Sequence, residues 1–187
     1  PPWSLWDGKD YKNMSDQDEA KFRMIEYHKW KFKAKIFSPL APLTVKRTPV
    51  LMTRVEYGFL GSYNKYKKSP FETFYMGGDG MSGYSSTYAT ETIGLRGYEN
   101  GSIAGNGGYN SYGYAYSRLS MELRYPFLLE PSSTIYGLVF VEAGNAWRDL
   151  KDFNPFQLKR SAGVGVRIFL PMIGLMGIDW AYGFDRP

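Results

Sequence analysis

Residues 161–167 are Ser161-Ala162-Gly163-Val164-Gly165-Val166-Arg167, and the even positions remain apolar as far as Leu170. The odd positions of the quoted stretch carry Ser, Gly and Arg instead. A β-strand places alternate side chains on opposite faces, whereas a helix would distribute both kinds around its circumference. The stretch therefore predicts a strand over residues 158–170, with one apolar face and one polar or small face.

Five further segments alternate in the same way, at 20–37, 50–63, 114–125, 135–147 and 175–184. In the first of them, apolar residues at even positions are interleaved with a row of lysines, namely Lys29, Lys31, Lys33 and Lys35. Strands of ordinary domains centre on about five to six residues, whereas a tilted membrane-spanning strand needs ~9–11. All six predicted strands are ten residues or longer, which favours strands that cross a membrane.

The connections between these strands alternate between short, proline-containing segments and longer or more polar ones. Three contain proline, at 38–42, 126–133 and 171–174, while the other two are a polar segment at 148–157 and a long segment at 64–112. Antiparallel order puts alternate connections at opposite ends of a sheet, so one end is short and the other is long and polar. Outer-membrane barrels show this asymmetry, with short periplasmic turns and longer outer loops.

The predicted fold is therefore all-β: an antiparallel transmembrane β-barrel portion of about six strands, with residues 1–187 forming a single domain and residues 64–112 a long loop. Six strands are fewer than the ~8 of the smallest common closed barrels, so the sheet is incomplete as a barrel. The mixed face predicts a lumen wall that includes Gly163, Gly165, Arg167, Glu122 and Asp179. The opposite face predicts lipid contacts by Leu119, Leu123, Val139, Val141, Val164, Val166, Ile178 and Trp180.

The composition excludes several classes of function. The chain has no cysteine and a single histidine, His28, so disulfide frameworks, cysteine-ligated zinc and multi-histidine metal sites lack the necessary residues. No apolar run reaches the ~18–20 residues of a membrane helix. The sequence predicts no catalytic residue, no metal ligand and no cofactor, and we interpret the protein as a non-enzyme.

Three motifs occur in a fixed order along the chain. The long segment contains Phe74-Tyr75-Met76-Gly77-Gly78 and then Leu95-Arg96-Gly97-Tyr98, and a later strand carries Phe140, Glu142 and Gly144. Together they resemble the BamA family of outer-membrane barrel assembly proteins, within the bacterial surface antigen superfamily. The opening Pro1-Pro2-Trp3-Ser4 is most similar to the branch from Bacteroides-type bacteria. The strand acid is Glu142, where the superfamily more often has Asp.

This resemblance implies a location in the bacterial outer membrane and a role in folding and inserting other β-barrel proteins there. The implied partners are client outer-membrane proteins, accessory assembly lipoproteins, outer-membrane lipid and lipopolysaccharide, and the remainder of the protein's own barrel. The lipopolysaccharide contact would fall on Lys65, Lys67 and Lys68, for which a solvated cluster is the competing interpretation.

The resemblance also implies a structural lock made by Arg96, Gly97, Tyr98, Phe140, Glu142 and Gly144. The loop would fold into the lumen, and Arg96 would bind Glu142 through two parallel hydrogen bonds. Gly97 would allow close approach or a positive φ, and Gly163 and Gly165 would leave room for the loop. Spacing alone favours a different pairing, in which Arg96 is solvated and Glu142 binds Arg124 or Arg167.

Other functions remain as alternatives. A two-partner secretion pore of the same superfamily, a soluble β-sandwich adhesin and an enzyme embedded in a barrel would each fit part of the pattern. Nucleic-acid binding is disfavoured because the aromatic residues of 20–37 face away from the lysine row, whereas a strand-binding groove needs both on one face. The lysine row is predicted to be a solvated inner wall.

Overall fold

A computed structural model describes residues 2–15, 18–42, 44, 47–80, 90–103, 112–130 and 132–186. Six strands form one antiparallel sheet in the order β1-β2-β5-β6-β7-β8. Their bounds are β1 (His28–Pro39), β2 (Val50–Gly61), β5 (Ala115–Glu130), β6 (Ser133–Trp147), β7 (Lys159–Leu170) and β8 (Gly174–Gly183). Two short strands, β3 (Phe74–Met76) and β4 (Glu91–Ile93), form a separate parallel pair. The predicted antiparallel all-β fold is confirmed.

Alternate residues of the sheet lie in different surroundings. On β6, Val139 and Val141 are 56% and 52% exposed, whereas Phe140 and Glu142 are 1% and 2% exposed. We call the side of Phe140 and Glu142 the inner face, because the long loop packs on it, and the opposite side the outer face. The register places all eight residues predicted to share the apolar face on the outer face: Leu119, Leu123, Val139, Val141, Val164, Val166, Ile178 and Trp180.

The prediction of a strand from residue 20 is wrong at its beginning. Residues Glu19–Phe22 form a single helical turn, α1, in which the Ala20 N–H donates to the Asp18 carboxylate at 2.9 Å. Aspartate is a preferred residue at the N-cap of a helix. Strand pairing begins only at His28, opposite Gly61 at the end of β2, so the residues before His28 have no partner on β2.

The proline-containing turn predicted at 126–133 is also too long. β5 continues through Pro126 to Glu130 and pairs with β6 throughout, with a shift of register between Pro126 and Leu128. The ladder to β2 has already ended at Arg124, so no hydrogen bond on that side needs an N–H from Pro126. Proline is tolerated at such unpaired edges and bulges.

The long loop is more ordered than its composition predicts. In its described part, β3 and β4 are in register from Phe74 opposite Glu91, and Gly78 forms a bridge with Leu95. These segments and the inner face enclose a hydrophobic cluster of Leu60, Phe74, Met76, Ile93, Leu95, Tyr98, Ile103, Tyr116 and Ala146. Each large side chain buried in this way contributes about 1.5–3 kcal/mol. The wall that the polar alternation predicts to be wet is therefore partly buried and apolar, at the positions where this cluster covers it.

The sheet has two free edges. Within the described ranges, β1 pairs only with β2, and β8 pairs only with β7. Among the described residues, no helix is long and apolar enough to span a membrane.

Candidate functional site

Arg96 is delivered to the inner face by the strand pair of the loop. β4 ends at Ile93, and Leu95 is fully buried in the hydrophobic cluster, where it forms the bridge to Gly78. The next residue, Arg96, lies against the sheet, and its side chain is 14% exposed. The apolar anchors at Ile93 and Leu95 therefore fix the backbone immediately before Arg96.

Arg96 binds carboxylates on three different strands. Its Nη2 donates to Oε1 of Glu142 on β6 at 2.7 Å and to Oε1 of Glu122 on β5 at 2.6 Å. Its Nη1 donates to Oδ2 of Asp179 on β8 at 3.2 Å. The backbone N–H of Arg96 donates to Oε2 of Glu142 at 2.9 Å, so Glu142 binds both the main chain and the side chain of the loop.

The expectation of two parallel guanidinium bonds from Arg96 to Glu142 is therefore wrong in its geometry. Only one guanidinium nitrogen contacts Glu142, and the remaining contacts go to Glu122 and Asp179. A guanidinium carries five N–H donors, so it can serve several acceptors at once. The register explains the outcome, because Glu122 pairs with Phe140, two residues from Glu142, and both therefore stand on the same patch of the inner face.

The ring of Phe140 forms the floor of this site. The guanidinium carbon of Arg96 lies 3.5 Å from the centroid of this ring, which is 1% exposed. Such stacking contributes about 2 kcal/mol or more where the cation is desolvated. A planar guanidinium can stack in this way and keep its in-plane donors for carboxylates, which the ammonium of lysine cannot do.

Other inner-face side chains complete the network. Sequence reasoning did not assign Arg118 or Ser120 to the site, and it considered Arg124 only as an alternative partner of Glu142. Arg118 Nη2 and Ser120 Oγ donate to Oε1 of Glu142 at 3.0 and 3.1 Å. Arg124 Nη2 donates to Oε2 of Glu122 at 2.7 Å. Arg118 and Arg124 occupy even positions of β5, as Glu122 does, so strand alternation puts them on the inner face. Only the register with β6 shows which carboxylates they reach.

Arg167 pairs with Asp179 and not with Glu142. Its Nη2 donates to Oδ2 of Asp179 at 2.6 Å, the same oxygen that accepts from Arg96. The alternative in which Glu142 is neutralised by Arg124 or Arg167 is not what the structure shows, because Glu142 binds Arg96 and Arg118.

Gly97 and Tyr98 fix the loop to β7 and β8. Gly97 has φ of 90°, and a Cβ there would lie 2.9 Å from the backbone nitrogen of Gly183. The Tyr98 hydroxyl donates to the carbonyl oxygen of Arg160 at 2.7 Å and accepts from the N–H of Asp185 at 3.1 Å. Burial raises the pKa of Tyr98, which keeps the hydroxyl protonated as a donor.

Gly163 and Gly165 leave space mainly for other side chains of the sheet, and not directly for the loop. A Cβ on Gly163 would lie 2.5 Å from the Phe140 ring, and one on Gly165 would lie 1.9 Å from the Asp179 carboxylate. Gly144 does face the loop, because its Cβ would lie 2.4 Å from Cε of Met76. Gly163 and Gly165 thus act indirectly, by accommodating the ring and the carboxylate that hold Arg96.

The electrostatics keep the site charged. Burial disfavours the guanidinium, but hydrogen bonds and attraction from Glu142 and Glu122 outweigh burial and hold the pKa of Arg96 above its ordinary value. Removing one partner from a buried set of this kind costs about 3–5 kcal/mol, because it leaves an uncompensated charge. Within the described ranges, no three His, Cys, Asp or Glu residues are grouped to hold a metal ion.

Comparisons with known proteins identify the family and the fold. The model of the Omp85 superfamily domain matches residues 20–187. Among solved structures, the crystal structure of BamA from Haemophilus ducreyi lacking POTRA domains 1–3 is similar, with 20% identity and a TM-score of 0.63. The match covers 87% of this chain and 32% of that chain, so this chain spans about a third of its length. No curated protein sequence matches the chain.

The family match covers nearly the whole described sheet and the loop that carries Arg96, and the structural likeness shows that the sheet has the fold of one part of a barrel. The chain belongs to the Omp85 superfamily, and its sheet is a BamA-type β-barrel portion of the bacterial outer membrane.

Proposed function

We propose that the protein containing this sheet folds client β-barrel proteins and inserts them into the outer membrane. The observation that carries the proposal is the seating of Arg96, which ties the loop to β5, β6 and β8 through Glu122, Glu142 and Asp179. The family match supports the same class of activity.

The contacts suggest how the loop would serve insertion. In the family, clients are thought to enter through a weak lateral seam between the first and last strands of the barrel. A wall beside such a seam must stay rigid while the seam opens. Arg96 and Tyr98 hold the inner face as far as β8, the edge strand of this sheet, so the loop would brace the wall from inside.

The expected partners follow from this role. They are unfolded client outer-membrane proteins, accessory assembly lipoproteins, the remainder of the barrel along the free edges of β1 and β8, and outer-membrane lipid with its lipopolysaccharide. Of the three lysines considered for lipopolysaccharide, Lys67 is 3% exposed and lies over the ring of Tyr11, and Lys68 bonds Asp149 at 2.9 Å. Lys65 and Lys68 are both exposed, but Lys68 is paired with Asp149 and Lys65 lies over the ring of Tyr66, which weakens that assignment.

The test is an insertion assay with the full-length protein in liposomes. A urea-unfolded client barrel is added, and its folded fraction is followed by the change in gel mobility on heating. We expect the parent protein to accelerate folding and Arg96→Ala to remove most of the acceleration. Unchanged acceleration by Arg96→Ala would contradict the bracing role. Transport of one secreted partner without any client folding would instead identify a secretion pore.

A further inference from the structure

The lysine row of β1 is paired with a carboxylate where the loop reaches it, and Lys29 is shielded there whereas Lys31 and Lys33 stay exposed. Nζ of Lys29 and Nζ of Lys31 each lie 3.0 Å from Oε2 of Glu91, the first residue of β4. Nζ of Lys33 lies 3.7 Å from Oε1 of the same carboxylate. Three cations of one strand therefore converge on a single loop carboxylate.

Lys29 holds the loop in further ways. Its Nζ donates to the backbone carbonyl and to Oε2 of Glu72, both at 3.1 Å, and lies 4.9 Å from the centroid of the Phe74 ring. The side chains of Lys29 and Glu91 are 13% and 23% exposed, so this pair is largely shielded from water. Shielded pairs are screened by salt much less than exposed ones.

Glu91 and Arg96 lie on the same short segment and bind opposite edges of the sheet. β1 is one edge strand and β8 is the other. Glu91 places a negative charge among the lysines of β1, whereas Arg96 places a positive charge among carboxylates that include Asp179 of β8. The two ends of the segment therefore need partners of opposite sign, which allows only one orientation of the segment across the inner face.

We propose that Glu91 is a second anchor of the loop, which with Lys29, Lys31 and Lys33 positions the segment so that Arg96 reaches its carboxylates. The anchor itself rests on geometry, and its consequence for client insertion rests on the proposed function. Glu91 is a positioning residue, because it acts on the wall through the backbone that leads to Arg96.

Because three lysines share one carboxylate, losing a single lysine should affect the segment much less than losing Glu91. Loss of Lys31 leaves Glu91 with Lys29 and Lys33, so Lys31→Met should loosen the segment less than Glu91→Gln does. Loss of the carboxylate leaves three ammonium groups close together without their shared counter-charge, so Glu91→Gln should detach the segment. Glu91→Asp keeps the charge, and the long lysine side chains can move to meet it.

A buried reporter can measure detachment directly. Ser161 is 1% exposed, its hydroxyl has no hydrogen-bond partner in the part of the chain that the structure describes, and its Cβ would lie 3.1 Å from a Cβ placed on Gly97. Because the chain has no cysteine, Ser161→Cys would introduce the first thiol, beneath the loop. The experiment measures labelling of this thiol by a small neutral maleimide in the full-length protein, freed of any other cysteine, in liposomes.

We expect slow labelling in the Ser161→Cys parent, and a rise of about tenfold with Glu91→Gln, which corresponds to a loss of about 1.4 kcal/mol in loop seating. Arg96→Ala gives the reference rate for a detached loop. Lys31→Met should label at a rate between those of the parent and Glu91→Gln. Glu91→Asp should label within about twofold of the parent, as should the control Glu130→Gln, which removes an exposed carboxylate at the C-terminal end of β5. Parental labelling of Glu91→Gln, or fast labelling of Glu91→Asp, would overturn the anchor.

The insertion assay separates this inference from the proposed function. Faster labelling by Glu91→Gln with normal client insertion would leave the anchor standing and contradict the need for a braced loop. Parental labelling with impaired insertion would overturn the anchor and leave the insertion activity standing.

Discussion

At the scale of single residues, the site depends on side-chain shape as much as on charge. Arg96 stacks on Phe140 and at the same time serves Glu122, Glu142 and Asp179. A lysine would keep the positive charge but could not combine the stacked face with in-plane donors. We therefore expect Arg96→Lys to impair loop seating nearly as much as Arg96→Ala in the thiol-labelling assay, and parental seating of Arg96→Lys would show that charge alone is sufficient.

The coupling between Arg96 and Glu142 is a separate prediction. We expect each single alanine variant to destabilise the barrel and the double variant to be little worse than either one, with a coupling free energy of about 0.5–3 kcal/mol. Urea titration in liposomes would give the free energies of unfolding. Arg124→Ala with Glu142→Ala is the matched pair, because Arg124 bonds Glu122 instead, and its effects should be closer to additive. Full additivity of the Arg96 pair would leave Glu142 as an ordinary wall carboxylate.

Gly97 offers a matched comparison with Gly174. Both have positive φ, 90° and 92°, but only Gly97 is crowded, since nothing lies within 4 Å of a Cβ on Gly174. The left-handed backbone costs an ordinary residue about 1–2 kcal/mol in either place. We expect Gly174→Ala to lose about that much stability and Gly97→Ala to lose clearly more, because its Cβ would strike the backbone of β8. Equal losses in urea titration would show that close approach is not what Gly97 provides.

At the scale of elements, we predict that the outer face of the strands contacts lipid and that its tolerance of charged residues depends on their depth in the membrane. Val141 and Val164 lie on the outer face near the middle of β6 and β7, whereas Leu170 ends β7. Arginine at Val141 or Val164 should cost about 2–4 kcal/mol near the bilayer midplane, and Leu170→Arg only about 0–1 kcal/mol near the interface. Unfolding titrations in liposomes would measure the difference, and equal costs at the three positions would contradict the assigned membrane depth.

The contact of β1 with β4 should depend on pH through Glu91. Burial raises the pKa of Glu91, but hydrogen bonds and attraction from Lys31 and Lys29 lower it more, so it lies below its ordinary value. Among the described residues, Lys33 also faces this carboxylate, Glu72 shares Lys29 with it, and the hydroxyl of Tyr116 feels its charge. A lowered pKa gives stability that is present above the unfolded pKa, about 4.3, and lost as pH falls through the folded value.

We therefore expect the melting temperature of the parent to exceed that of Glu91→Gln near pH 7, and the two to converge as pH falls below about 4. Glu130→Gln, which removes an exposed carboxylate, should follow the parent over the whole range. A difference between parent and Glu91→Gln that stays constant down to low pH would show that the charge of Glu91 does not contribute.

At the scale of the whole molecule, the loop holds the described part of the sheet from inside. Its two edges, β1 and β8, each have one neighbour within the described ranges, and the loop binds both through Glu91 and Arg96. Unpaired edge groups cost several kcal/mol each in lipid, so the edges must pair with further strands or with another copy. We predict that the 187-residue chain alone forms no monomeric, heat-modifiable barrel in detergent. Such a monomer, observed by gel mobility and light scattering, would refute this prediction.

Local sequence was sufficient for the strands and for their faces. Alternation depends only on neighbouring residues, so Val139 and Glu142 could be assigned to opposite faces without knowledge of any partner strand. The local sequence was not sufficient where a neighbouring strand decides whether a segment stays in the sheet. Residues 20–27 alternate, but β2 does not extend beside them, so they do not join the sheet. Pro126 remains in β5 because the ladder with β2 has ended at Arg124.

The sequence by itself determined the antiparallel strands and the family resemblance. The meeting of Arg96 with Glu142 was implied only by that resemblance, since spacing alone favoured a solvated Arg96. Only the tertiary structure decided that Arg96 also binds Glu122 and Asp179, and that the lysines of β1 bind Glu91. The physical reason is that these contacts join residues far apart in the chain, through the register between strands and the packing of the loop. Register and loop packing are set by the fold as a whole, whereas side-chain alternation is set within each strand.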